Sequence, residues 1–139
     1  MVFGEISLSS KVTNLFTSAG ITVIDTTNST IVLGHPISNS GGPFYWHLSP
    51  GQYAILEMIV HFSGFGQTET RHRRIYAEFS VDSPAQLIYI GNLQVDWAAK
   101  DKFITVEDDY ENALEAIHAN YPKLQGVPVK QLLELEEKL

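Results

Sequence analysis

A chain of 139 residues with 44% apolar and 18% charged side chains has the make-up of one globular domain, outside the disordered regime and large enough to bury a core unaided. It has no cysteine, which excludes disulfides, thiolate nucleophiles and the usual cysteine-based zinc sets. Its net charge of −7 argues against nonspecific nucleic-acid binding, which needs cations to displace counterions from phosphates.

The charge is unevenly placed. Residues 1–100 hold five Lys/Arg against seven acids, and residues 101–139 hold four against nine. No apolar run approaches the roughly 18 residues of a membrane span. Met1-Val2-Phe3-Gly4-Glu5-Ile6 lacks the basic and apolar regions of a secretory leader.

In chain order, Val2–Leu8 reads as a first strand, and Leu15-Phe16 is a small apolar patch ended by Ser18-Ala19-Gly20. Ile21–Thr26 is almost wholly β-branched, which favours a strand over a helix. Thr27-Asn28-Ser29 is a turn, and Thr30–Gly34 returns. His35–Pro43, with two prolines and two glycines, reads as a loop.

Phe44–Phe62 carries aromatic and β-branched runs on both sides of Pro50-Gly51, and predicts the central hairpin of an all-β domain. Ser63–Thr70 reads as a loop and Arg71–Val81 as a long strand. Its Ile75, Ala77, Phe79 and Val81 share one face, against Arg74, Tyr76, Glu78 and Ser80 on the other. Asp82-Ser83-Pro84 turns into a strand over Gln86–Trp97, and Lys102–Val106 supplies another.

The period then changes. Glu107-Asp108-Asp109 places acids where a helix N-terminus favours them. Tyr110, Ala113, Leu114, Ile117 and Tyr121 form one helical stripe that ends at Pro122. Pro128 suits a first helical position, so Val129–Leu139 reads as a second short helix with Leu132, Leu133 and Leu139 inside. Short strands arriving before any helix imply a mainly β chain, an antiparallel β-sandwich with one or two C-terminal α-helices. The sandwich is expected over residues 1–106, with 107–139 a helical extension packed on the same single domain.

Leu48-Ser49-Pro50-Gly51-Gln52-Tyr53 and Leu87-Ile88-Tyr89-Ile90-Gly91-Asn92-Leu93, with the helix ending at Tyr121-Pro122, carry a resemblance across roughly residues 20–125. The chain resembles small bacterial envelope lipoproteins of unknown function with a transthyretin-like or carboxypeptidase-regulatory-like sandwich. That resemblance implies a noncatalytic binding or structural accessory module of the periplasm or cell envelope. Its membrane attachment would be a lipid anchor that this cysteine-free chain does not carry. A cytoplasmic interaction domain is the alternative setting.

Arg71-His72-Arg73-Arg74 is the one dense basic cluster. Arg71, Arg73 and Arg74 are the candidate anion- or ligand-binding residues, since guanidinium groups take carboxylate or phosphate bidentately. Strand alternation allows Arg71 and Arg73 to project together, and charge on an exposed strand also discourages aggregation. Tyr45, Trp46 and Tyr53 are the candidate aromatic surface, with core packing the competing role. His35, His47, His61, His72 and His118 show no metal-ligand spacing. A hairpin at Pro50-Gly51 would hold His47 and His61 roughly 23 Å apart. Glu107-Asp108-Asp109 lacks the spacing of a calcium loop, and Asn28-Ser29-Thr30 is a three-residue glycosylation match.

No G-x-S-x-G elbow or phosphate loop is present, and neither a catalytic residue, a cofactor nor a metal is expected. The expected partners are a protein, a glycan or a small ligand, with a homodimer through a sheet edge also open. The alternative function is a small-ligand-binding protein or enzyme, with a pocket between Arg71/Arg73 and the 35–43 and 63–70 loops.

Overall fold

The computed structural model describes residues 1–8, 16–37, 41–64, 67–96 and 102–135. The predicted apolar patch at Leu15, the strand end at Trp97 and the helix end at Leu139 fall outside these residues. The elements in chain order are β1 (Val2–Leu8), β2 (Phe16–Asp25), β3 (Thr30–Ile37), β4 (Gly42–Trp46), β5 (Gly51–Gly64), β6 (Gln67–Val81), β7 (Ile88–Val95), β8 (Ile104–Glu107), α1 (Tyr110–Asn120) and β9 (Val129–Lys130).

Two sheets face each other. One has the order β4-β1-β7-β8, with β9 also on β7; the other is β3-β2-β5-β6. All pairings in the second sheet are antiparallel, whereas β1–β7 and β7–β9 are parallel. The expected mainly β sandwich with a C-terminal helix is the observed architecture.

The core between the sheets is built from alternate residues, as period-two burial requires. Val2, Ile6, Trp46, Ile88, Ile90, Leu93 and Val95 come from one sheet. Ile21, Val23, Ile55, Met58, Val60, Ile75, Ala77 and Phe79 come from the other. Each fully buried aliphatic side chain contributes about 1.5–3 kcal/mol. On the far side of the first sheet, Phe3 and Tyr89 meet Ala113 and Ile117 of α1, forming a second apolar cluster. That makes three layers: sheet, sheet, helix. The Tyr89 hydroxyl accepts the Asp109 N–H at 2.9 Å beside the helix start, and burial pushes the phenol pKa up from 10.0.

Strand β7 sits at the centre of this arrangement. Ile88 and Ile90 point into the sandwich, and so do Leu93 and Val95, which have the opposite parity. The switch occurs at Gly91, whose φ is +115°. Beside it the register with β1 slips, so that Phe3 pairs with Tyr89 but Glu5 pairs with Asn92. This inserted residue is a β-bulge. Without it Asn92 and Gln94 would face the apolar interior. Glycine is required twice over, because a Cβ at Gly91 would lie 2.5 Å from Val106 Cγ1.

Three expectations are corrected here. Phe44–Phe62 is not a hairpin: β4 pairs with β1, while β5 pairs with β2 and β6. Pro50-Gly51 instead ends a short connection, His47–Pro50, that carries the chain from one sheet to the other. The Tyr53 hydroxyl donates to Ser49 O and pins that crossing. The separation inferred for His47 and His61 from a hairpin therefore has no basis.

The loops assigned to 35–43 and 63–70 are partly strand. β3 continues to Ile37, and β5–β6 is the long hairpin, paired out to Gly64 opposite Gln67. Beyond Gly34 and Ser63 the backbone is already satisfied by a neighbouring strand, which outweighs weak local propensity.

Among the described residues the second helix is absent. Val129–Lys130 joins β7 in parallel, and Gln131–Leu135 runs on without helical structure. Val129 N, Gln131 N and Leu133 N donate to Leu87 O, Tyr89 O and Ile90 O at 2.8, 2.8 and 3.1 Å. A short isolated helix is marginal, whereas the side of β7 offers three acceptors and a core site for Leu133.

The bulge makes a testable demand. Gly91→Ala should lower the urea midpoint by the equivalent of about 1–3 kcal/mol with an unchanged m-value. Gly42→Ala should cost less, since Gly42 also has positive φ but a Cβ there meets nothing within 4 Å.

Candidate functional site

β5 and β6, with 14 and 15 residues, are far longer than the eight-residue β7. At strand rise they extend about 45–50 Å against about 26 Å. The basic cluster lies in the first eight residues of β6. Arg73 and Arg71 register with Met58 and Val60, whose side chains belong to the core, so both arginines take the inner-face parity. Arg74 and His72 take the opposite parity.

The three guanidinium groups have different surroundings. Arg71 Nε and Nη2 donate to Glu69 Oε1 and Oε2 at 3.1 and 3.4 Å, in an exposed pair. The Arg73 guanidinium lies over the Phe103 ring, 4.0 Å from its centroid. Arg74 is exposed on the outer face, in register with Glu57. Glu57 Oε2 also lies 3.4 Å from His72 Nδ1, and His61 Nδ1 lies 2.8 Å from Thr70 Oγ1. Alternation thus brings Arg71 and Arg73 to one face and sends Arg74 to the other.

Phe103 joins this face to a groove. Ser7, Gln94, Asp96, Lys102 and Thr105 line it together with Phe103, around an open volume of about 320 Å³. Asp96 N donates to Phe103 O at 2.7 Å, tying two of the lining residues together. Gln94 takes the outer side of the sheet only because the Gly91 bulge reversed β7. The groove offers hydroxyl, amide, ammonium and carboxylate groups beside the apolar Leu8 and Val95, with Arg73 next to Phe103. It is open rather than enclosed, unlike the deep concavities that bury most of a small ligand. A second open hollow of about 290 Å³ lies by His47, Pro50 and Pro84.

The proposed aromatic surface is corrected. Trp46 and Tyr53 are buried, with 3% and 4% exposure. Trp46 stacks on Phe44 and Tyr53 stacks on Phe79, at ring separations of 4.4 and 5.5 Å. Tyr45 is half-buried beneath the end of α1; it meets Tyr121 edge-on, and its hydroxyl accepts from Asn120 Nδ2 at 2.9 Å. All three serve packing. Among the described residues, no group of three His, Asp or Glu side chains is placed to hold a metal ion.

Residue patterning alone overlooked Phe103 as the platform under Arg73, and Gln131. Gln131 Oε1 accepts from Ser80 N at 2.8 Å, and its Nε2 donates to Ser80 O at 3.1 Å. A side-chain amide thereby occupies the outer edge of β6 as a neighbouring strand would. Its alternation with Leu133 and Leu135 was the available signal, masked by the helical reading. Comparison with family models, curated proteins and solved structures finds no match.

At the start of α1 the Asp108 carboxylate meets Lys130 Nζ at 2.5 Å and accepts the Tyr110 N–H at 3.2 Å. The Lys130 hydrogen bond is the main cause that holds its pKa below the ordinary 3.8; desolvation opposes it, and the Tyr110 N–H and the ammonium charge add to the lowering. A depressed carboxyl stabilises the fold above its unfolded pKa and loses that contribution as pH falls through the folded value. Urea midpoints measured down the acid range should therefore fall below pH 3.8, and Lys130→Gln should flatten that part of the profile.

Proposed function

We propose that this chain is a noncatalytic β-sandwich module that acts as a binding or structural accessory domain through its outer surfaces and strand edges. One observation carries this reading. Among the described residues, buried aliphatic and aromatic side chains from both sheets, Trp46, Met58 and Phe79 among them, form one apolar cluster, which favours recognition through the exterior. The β5–β6 hairpin carries three of the chain's nine Lys/Arg side chains, in its one dense basic cluster.

A bacterial envelope setting is part of the proposal and rests on the resemblance of residues 48–53 and 87–93. The second reading is a small-anion binder, favoured by Arg73 lying beside the groove that Phe103 and Lys102 line.

Thermal shift separates the two. A ligand bound at 100 times its Kd stabilises by about 2.7 kcal/mol, several degrees for a domain of this size. Phosphate, citrate and nucleoside triphosphates should each move the Tm by less than about 1 °C if the module reading holds. A shift of several degrees that Arg73→Ala abolishes would replace it with the small-anion reading.

A further inference from the structure

Residues 129–135 close the flank that the two sheets share. Val129 N, Gln131 N and Leu133 N bond to β7, while the Gln131 amide reaches across to the Ser80 peptide groups of β6. Leu133 is buried in the core with Leu135 packed against it, and Lys130 Nζ meets Asp108 Oδ2 just ahead of α1. The connector that delivers this strap, residues 122–128, is held far more lightly. Pro122, Lys123, Gln125, Gly126 and Val127 are exposed, Val127 at 87%. The connector bends at Gly126, where φ is +113°, a conformation open to glycine and strained for other residues. A Cβ there would have Leu87 Cδ1, 4.0 Å away, as its nearest neighbour, so the constraint lies in the backbone and not in space.

We infer that two copies of this chain exchange residues 129–135 reciprocally, the strap of each filling the slot between β6 and β7 of the other, with the connector opened at Gly126. The slot's own contacts define what it selects. It takes a base toward Asp108, an amide toward Ser80 and a leucine into the core, all within Lys130-Gln131-Leu132-Leu133. A second copy carries that sequence by definition. Exchange keeps every contact of the strap, so the balance between one copy and two is set by concentration and by the connector.

The closed connector holds the strap at an effective concentration of about 1 mM, the scale for a short flexible link, and a strap from outside competes only near that value. Extended, the connector spans roughly 23 Å, enough to carry a strap onto a neighbouring copy. The two opened connectors run past each other about the two-fold axis, which sets the exposed Val127 of each beside the other. The exchange is independent of what the module binds. An extended segment of another protein is the competing occupant of the slot.

Sedimentation velocity at low salt, on samples warmed so that straps can leave and rebind, tests this. The intact protein should dimerise only toward about 1 mM. Gly126→Ala strains the closed connector and not the open one, so it should tighten the dimer about tenfold per connector, about a hundredfold in all. Lys130→Gln loosens the strap equally in both states. It should leave the dissociation constant within about twofold of the parent and speed the exchange. Asp108→Lys and Lys130→Asp, each in the full chain, set like charges against each other in a closed copy. Mixed, they restore both opposite-charge pairs only in the exchanged heterodimer, which native mass spectrometry should find favoured about tenfold beyond the statistical ratio. A natively folded Gly126→Ala chain that stays monomeric at about 1 mM overturns the exchange. So does a dimer with no preference for the mixed pair, because unexchanged straps leave both clashes in place. A monomer whose slot instead takes up an added peptide of residues 127–135 overturns it in favour of the foreign segment.

Discussion

The reversal of side-chain parity at Gly91 is the constraint on which the other contacts rest. β7 must serve two apolar surfaces, the sandwich interior through Ile88, Ile90, Leu93 and Val95, and the helix through Tyr89. A regular strand would deliver Asn92 and Gln94 to the interior at a desolvation cost of a few kcal/mol. One extra residue removes that conflict. It also places Asn92 within 3.3 Å of the Ser7 hydroxyl, which donates to its side-chain oxygen, and sets Gln94 at the groove lined by Phe103. The same strand then receives β9, and through β9 comes Gln131.

The sheets differ in how they treat their free sides. β7 is enclosed by β1, β8, β9 and the tail that follows, leaving Ile88, Tyr89 and Ile90 fully buried. β6 has one flank paired to β5 and an outer flank guarded by charge and by two glutamine amides. Charged residues and short plugs are how sheet edges avoid indiscriminate pairing.

Much of the secondary structure was legible because its signals are local. The β-branched run Ile21–Thr26, the alternation of Ile75 to Val81 and the stripe from Tyr110 to Tyr121 each announce a period that needs no partner to be read. The basic cluster was legible too, including the separation of Arg74 from Arg71 and Arg73. Partner choice was not legible. Pro50-Gly51 flanked by aromatic strands has the same local signature whether those strands pair or belong to different sheets. Trp46 and Tyr53 could be read as either core or surface, because burial of an aromatic depends on what lies opposite. For Trp46 the neighbours are Phe44 on its own strand and Phe79, distant in the chain.

By itself, the amino-acid order determined a mainly β chain with one amphipathic helix, an acidic C-terminal part and a strand bearing Arg71, Arg73 and Arg74. Periodicity and charge are properties of neighbours along the chain, so they survive without a fold. Only the tertiary structure decided that β4 joins β1, that residues 129–133 lie along β7 instead of coiling, and that Gln131 meets Ser80. Each of those outcomes is a competition for backbone partners between segments far apart in sequence, and local propensity carries no information about who wins it.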